Sequence, residues 1–321
     1  MNFLKLKTTA LFATAVVLVS CAPKERLTPE EVMSRTADVN KNLSSVLFEL
    51  DGKYSFSAGG VFKIDGDVRL KGSMQGGGER VYSDMETSGV FSGPNGSAYE
   101  VSAEGAAIAG NAVDTLFRIN GLSSSPEIPL FADGKTERIL NKWWRIGEAE
   151  PPSAGAPLTP DPKIIRAQSE VVDIVSDLGF DHIGGKKMYH YETVINSGKL
   201  YEYAFAVRGE SMDKEELESL KELVGRISAR GEIWIDSEDF YVRKINWDIK
   251  PVDFGNGYGA GAEFSMEFSG HNKADPFPMP KEIFTFSADN LITQGSESEH
   301  DIGSQPLPKE FEDAIINKIL E

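Results

Sequence analysis

The sequence predicts an α+β fold built on one large antiparallel sheet. Three observations carry that expectation. Between Gly52 and Gly121 apolar and polar residues alternate with a period of two, broken by glycine-rich turn signals. Strand-like stretches return after Lys187, so both halves of the chain supply strands. Segments with helical spacing open the chain, separate the strand groups and close it, which gives the order α–β-meander–α–β–β–α–β-meander–α. A hydrophobic fraction of 40% with 10% aromatics is enough for a sizeable core.

Residues 1–20 (MNFLKLKTTALFATAVVLVS) carry Lys5 and Lys7 and no acid, and Ala10–Val19 is apolar except for Thr14. That run suits a signal peptide and is short for a membrane-spanning helix. It ends in Leu18-Val19-Ser20-Cys21, which resembles the lipobox of bacterial lipoproteins. Cys21 is the single cysteine of the chain. An intramolecular disulfide is therefore impossible, and the thiol is assigned to lipidation after cleavage before Cys21. Several acyl chains on one residue would anchor firmly where one would be marginal. Residues 21–27 form a short charged tether.

Thr28-Pro29-Glu30-Glu31 combines an N-cap, a proline at the first helical position and a capping-box glutamate. Val32, Thr36, Val39, Leu43, Val46 and Leu47 then predict a helix to about Leu50. Asp38, Asn40, Asn42 and Glu49 copy calcium-loop positions, but Leu43 stands where such a loop needs glycine. In the meander, Val61–Ile64 and Val68–Lys71 flank Asp65-Gly66-Asp67 as a predicted hairpin. Gly76-Gly77-Gly78, Gly93–Gly96 and Glu104-Gly105 mark further turns, and Lys142–Ile146 reads as another strand.

Glu148–Asp161 is Pro/Ala-rich and aperiodic, an exposed loop. Ile164, Ile165, Val171, Val172, Val175 and Leu178 predict a helix stopped by Gly179. Met188–Ile195 and Leu200–Val207 form a predicted hairpin across Asn196-Ser197-Gly198. A helix opens at Ser211 with Leu217, Leu220, Val224 and Ile227 on one face. Strands Gly231–Asp236, Phe240–Ile249, Glu263–Ser269 and Glu282–Ser287 follow, then a helix carrying Phe311, Ile315 and Ile319.

The chain holds 33 basic and 50 acidic residues, a net charge of −17. That balance argues against nucleic-acid binding and against electrostatic adsorption to anionic lipid. The four histidines, His182, His190, His271 and His300, show no metal-ligand spacing. Neither a nucleophile elbow nor a phosphate-binding loop is present. Gly255–Gly261 reads as a mobile loop, not a cofactor cradle. The residues therefore assign no catalytic dyad, metal or cofactor, and the chain is read as a non-enzyme.

Trp-Trp-Arg-Ile at 143–146, Met188-Tyr189-His190-Tyr191 and Gly231-Glu232-Ile233-Trp234-Ile235-Asp236, behind a lipobox and one helix, resemble the LppX/LprG-like lipoproteins of the LolA/LolB-like half-barrel lipid-carrier superfamily. The resemblance covers most of 28–290 in element order and implies that 28–321 is one half-barrel domain. It further implies a strongly curved sheet wrapped around helices, enclosing an apolar cavity for acyl chains. Trp143, Trp144, Tyr203, Phe205 and Trp234 are then the candidate cavity-lining residues, although adjacent Trp143 and Trp144 cannot both face inward on a regular strand. Two readings stay open. One is a membrane-tethered carrier or receptor for a lipid or other hydrophobic molecule, at the outer side of the cytoplasmic membrane or at the outer membrane. The other is an interaction lipoprotein with a solid core whose acidic face binds an envelope protein.

Overall fold

The computed structural model describes residues 26–286 apart from 59–61, 77–79, 94–95, 110–114, 128–136, 138, 147–170, 209–212 and 256. Signal peptide, Cys21, the 148–161 loop and the carboxy-terminal helix lie outside the described residues.

Helix α1 (Pro29–Asn40) begins as its sequence dictates. Thr28 Oγ1 accepts from the Glu31 N–H, the Glu31 carboxylate accepts from the Thr28 N–H, and proline occupies the first turn. The helix stops ten residues before the expected end. Val46, Phe48 and Leu50 are buried while Leu47 and Glu49 are exposed, a period of two that the helical spacing had overlaid. These residues open β1 (Ser45–Ala58), which pairs on both edges.

The meander continues through β2 (Phe62–Gln75), β3 (Arg80–Ser92), β4 (Ala98–Ala109), β5 (Leu116–Ser125) and β6 (Trp143–Ile146). Asp65-Gly66-Asp67 is not a turn but the middle of β2. A Cβ on Gly66 would stand 2.9 Å from the Tyr54 ring, so the glycine makes room for an aromatic on the neighbouring strand. Glu104-Gly105 likewise lies inside β4, at a register shift against β5.

The expected helix over 164–178 is replaced, from Val172 onward, by strand β7 (Val172–Ile183). Val175 and Leu178 are the residues passed over at two register shifts against β8 (Lys186–Ile195) and are exposed, so their spacing from Val172 imitates a helical face. The expected strand at 200–207 is instead α2 (Ser197–Arg208). Asn196 Oδ1 accepts from the Lys199 N–H, so the residue read as a hairpin turn acts as a helix cap. Helix α3 (Lys214–Arg226) starts from Asp213, whose carboxylate accepts from the Glu215 and Glu216 N–H groups.

Strands β9 (Ala229–Asp236), β10 (Val242–Gly255), β11 (Tyr258–Ser269) and β12 (Phe284–Phe286) complete the sheet. Gly255 and Gly257 take positive φ in a tight β10–β11 turn, and Gly259 pairs with Ser57 of β1, so this stretch is hairpin and not a free loop. The twelve strands of the described residues form one sheet in the order β12-β6-β5-β4-β3-β2-β1-β11-β10-β9-β8-β7, antiparallel except for β12 against β6. Strands from both sides of 148–161 thus share one open sheet, a half-barrel α+β fold.

Residues 270–283 strap one end of that sheet. Asn272 N–H donates to Ser45 O, Gln75 Nε2 donates to Asp275 O, and Phe277 packs on Tyr82 at 5.5 Å. At the opposite end β1, β3 and β10 finish and β2, β4 and β11 begin. Helix α3 lies there too, tied by Arg226 Nη1 to Asp253 O.

Candidate functional site: two unlike faces of one sheet

Strict alternation gives the sheet two chemically distinct faces. The register places Leu50, Leu70 and Met85 in one row, and Tyr54, Gly66 and Gly89 in another on the same side. Phe264, Trp247 and Ile233 extend this apolar face through β11, β10 and β9. Alpha helix α1 covers part of it: Val32 is fully buried against Tyr189, Tyr191 and Ile235. Burial pushes the Tyr191 phenol up to about 12. Towards β1–β3 the cover thins. Ile64, Val68 and Leu70 are half-buried, and Phe56 and Met85 are 37% exposed.

The other face is charged. Arg69 bridges Asp51 at 2.8 Å and Glu86 at 3.3 Å, and the hydrogen bond it donates to Asp51 raises its pKa further. Lys244 pairs with Glu267, Arg230 with Glu192, and His190 Nε2 lies 3.0 Å from Glu232. A groove of about 970 Å³ runs across this face from Glu104 on β4 to Glu192 on β8. One concavity touching both strands requires the sheet to curl toward the charged side. Its walls hold Asp51, Asp67, Glu86, Glu104, Glu192, Glu232, Asp248 and Glu263 against Lys53, Arg69, Arg230 and Lys244. Acids outnumber bases two to one there. Clefts of about 470 and 450 Å³ continue it toward the turn end of the sheet.

The structure scatters the five aromatic candidates. Trp144 is buried on β6, packs on Phe284 at 5.5 Å and donates from Nε1 to Ile139 O. Trp143, beside it, lies under the Arg118 guanidinium. Trp234 is buried on β9, stacks on His190 with centroids 4.3 Å apart and donates to Asp181. The His182 N–H and that indole N–H together hold Asp181 below the usual carboxylate range. Tyr203 and Phe205 sit on α2, with Phe205 exposed. None of the five lines the groove, and β6 and β9 are separated by seven intervening strands. The resemblance implies an apolar cavity within the curvature; the concavity formed here is charged, and the apolar surface lies across the sheet from it.

The charged rows were the residues that sequence reasoning passed over. Glu49, Asp51 and Lys53, or Asp65, Asp67, Arg69 and Lys71, alternate visibly, but only strand register shows which of them meet. Among the described residues no group of three His, Cys, Asp or Glu side chains could hold a metal ion, and no helix is long and apolar enough to cross a membrane.

The geometry defines a half-barrel with an apolar face and a charged groove. No family model matches the chain, and no curated protein matches it. Among solved structures it is similar to the lipoprotein LppX of Mycobacterium tuberculosis, at 9% identity over 78% of this chain and 100% of that one, with a TM-score of 0.29. LprF of Mycobacterium bovis is 12% identical over 79% and 98% of the two chains, with a TM-score of 0.29. A LolA superfamily protein of Nitrosomonas europaea is 9% identical over 78% and 96%, with a TM-score of 0.19.

Proposed function

We propose that this chain is exported, lipidated on Cys21 and held at a membrane surface as a carrier or receptor for a hydrophobic or amphipathic molecule. One observation carries the ligand class: the apolar face stays half-buried across β1–β3, with Phe56 and Met85 37% exposed. An apolar surface that a fold leaves in contact with water is stabilised by a ligand, at about 25 cal/mol per Å² covered. Mass spectrometry of lipids extracted from protein purified without detergent tests the reading. Bound lipid should be recovered from the wild type and depleted in Leu70→Glu and Met85→Glu variants that still fold. Recovery of no lipid, with no uptake of a fluorescent fatty acid, would overturn it. Cys21→Ala should remove the acyl mass and the detergent-phase partitioning, and an acylated mutant would sink the anchoring half.

The charged groove favours a second reading, an interaction lipoprotein that receives a basic segment of an envelope protein. Asp67→Lys with Asp248→Lys should abolish such binding and leave lipid content untouched.

A further inference from the structure

Four aromatic side chains line up at the end of the sheet away from the strap. Phe56, Phe62, Phe91 and Tyr99 stand on β1, β2, β3 and β4 on the apolar face, each in ring contact with the next. Their centroid separations are 5.8, 5.4 and 6.3 Å, so they form a ladder across four adjacent strands. The register sets this ladder where β1 and β3 finish and β2 and β4 begin. Phe254, next to the β10–β11 turn, and Phe205 on α2 are also exposed, to 40% and 44%. At the strap end Ser45, Ser73 and Gln75 are buried polar residues and Phe277 is packed between Tyr82 and Arg80, while Leu47, Met279 and Ile283 are exposed.

We propose that this aromatic rim seats in the headgroup region of a lipid bilayer and sets the orientation of the anchored domain. The inference rests on the membrane attachment proposed above. Amphipathic and aromatic side chains concentrate at membrane–water interfaces, where a ring can be half in hydrocarbon and half in water. An apolar rim, unlike a basic patch, needs no anionic lipid, which suits a chain of net charge −17. The tether reaches. Arg26 is held by Asp177 and by Gly179 O on β7, five residues from the strand's first residue, Val172. Cys21 is also five residues from Arg26, and five extended residues span about 17 Å in either case. The acyl-bearing residue can therefore reach the level of the first residues of β7, which the register carries across the sheet to Lys53 of β1, three residues before Phe56. In that pose the apolar face opens onto the bilayer along its edge, which gives a hydrophobic ligand a path that avoids water.

The test uses full-length protein in phosphatidylcholine vesicles whose acyl chains carry bromine, with tryptophan reporters at the rim (Phe56→Trp, Phe254→Trp) and at the strap (Phe277→Trp). Rim reporters should be quenched at least about threefold more than the strap reporter, because an interfacial side chain sinks about 5–10 Å toward the acyl region. Raising the salt should leave the quenching unchanged. Phe56→Ser with Phe254→Ser and Phe205→Ser should remove orientation, read from a Tyr99→Trp reporter, while the acyl mass persists. If the acyl mass is present and rim reporters are no more quenched than the strap reporter, the rim proposal falls and anchoring stands. If the acyl mass is absent but rim reporters are quenched at millimolar lipid, anchoring falls and the rim stands. Equal quenching of all reporters in both preparations overturns the rim.

Discussion

Arg243 donates from Nη1 to His271 Nδ1 at 2.8 Å, and a guanidinium can only donate, so that ring nitrogen is an acceptor. The ring proton is then on Nε2, which donates to Val242 O at 3.1 Å. Both nitrogens are used in the neutral form. Burial and the facing Arg243 charge hold the imidazole below its ordinary range, with Asp239 and Asp236 opposing them. The Tyr241 ring, stacked at 4.4 Å, adds no formal charge. This contact joins β10 to the start of the strap.

Acidification should therefore loosen the strap end. His271 takes up a proton more readily unfolded, near 6.5, than folded. Its contribution to stability is complete above that value and is lost as the pH falls below it. Urea unfolding at pH 7.5 and 5.5 should show a lower midpoint at the lower pH. His271→Gln, which can accept and donate without titrating, should show a smaller drop. An equal drop in both proteins would remove His271 from the account.

Asp236 is only 1% exposed and accepts from Lys186, twice from Arg243 and from the Glu238 N–H. Burial pushes its carboxyl up, but those donors outweigh burial and hold it below the carboxylate range. Asp236→Ala would leave the mostly buried Arg243 guanidinium with Asp239 as its carboxylate partner and the Glu238 N–H without its acceptor. The expected cost is about 3 kcal/mol, the low end of the range for removing one partner of a buried pair, because Asp239 still compensates part of the charge. Asp248→Ala, on the open groove wall, should change the unfolding midpoint little.

Helix α1 docks through Val32, which has no exposed surface and touches Tyr189, Tyr191 and Ile235. Val32→Ala should cost about 1.5–3 kcal/mol, two methyl groups plus the cavity they leave. Thr28→Ala removes the cap acceptor and should cost about 1 kcal/mol. The two residues act on one helix, so their effects should add less than fully if either alone undocks it. Hydrogen exchange confined to residues 29–40 in both variants would check this.

Elements whose signals are local were legible in the sequence. The Thr28 capping box, the strand end at Gly76, the Gly93–Gly96 contact and the Gly231–Asp236 strand all rest on residues within one turn or strand. The misread elements share a different cause. Val175 and Leu178 follow a helical spacing because bulges in β7 add residues, and bulges are set by the partner strand β8. Asn196 offers the same side-chain oxygen to a hairpin or a helix cap, and tertiary contacts choose between them. The two faces of the sheet were readable strand by strand. The curl that makes the charged face the groove is a property of eight strands together, and no single segment encodes it.

Glycines inside strands give the sharpest test of that long-range packing. Gly231 lies on β9 opposite Trp247 of β10. A Cβ there would fall 2.2 Å from Asn246 O and 2.8 Å from the Trp247 ring, and the backbone oxygen cannot move aside as a side chain could. Gly231→Ala should therefore separate β9 from β10 locally, at a cost of about 1–3 kcal/mol for overpacking, with a red shift in tryptophan emission as Trp247 meets water. Gly225 in α3 has open space where its Cβ would go. Gly225→Ala should leave the emission unchanged and stabilise by about 0.5–1 kcal/mol through helix propensity. Two alanines of the same size thus move stability in opposite directions. A Gly231→Ala protein as stable as the wild type, with unshifted emission, would mean that the β9–β10 register places Trp247 elsewhere.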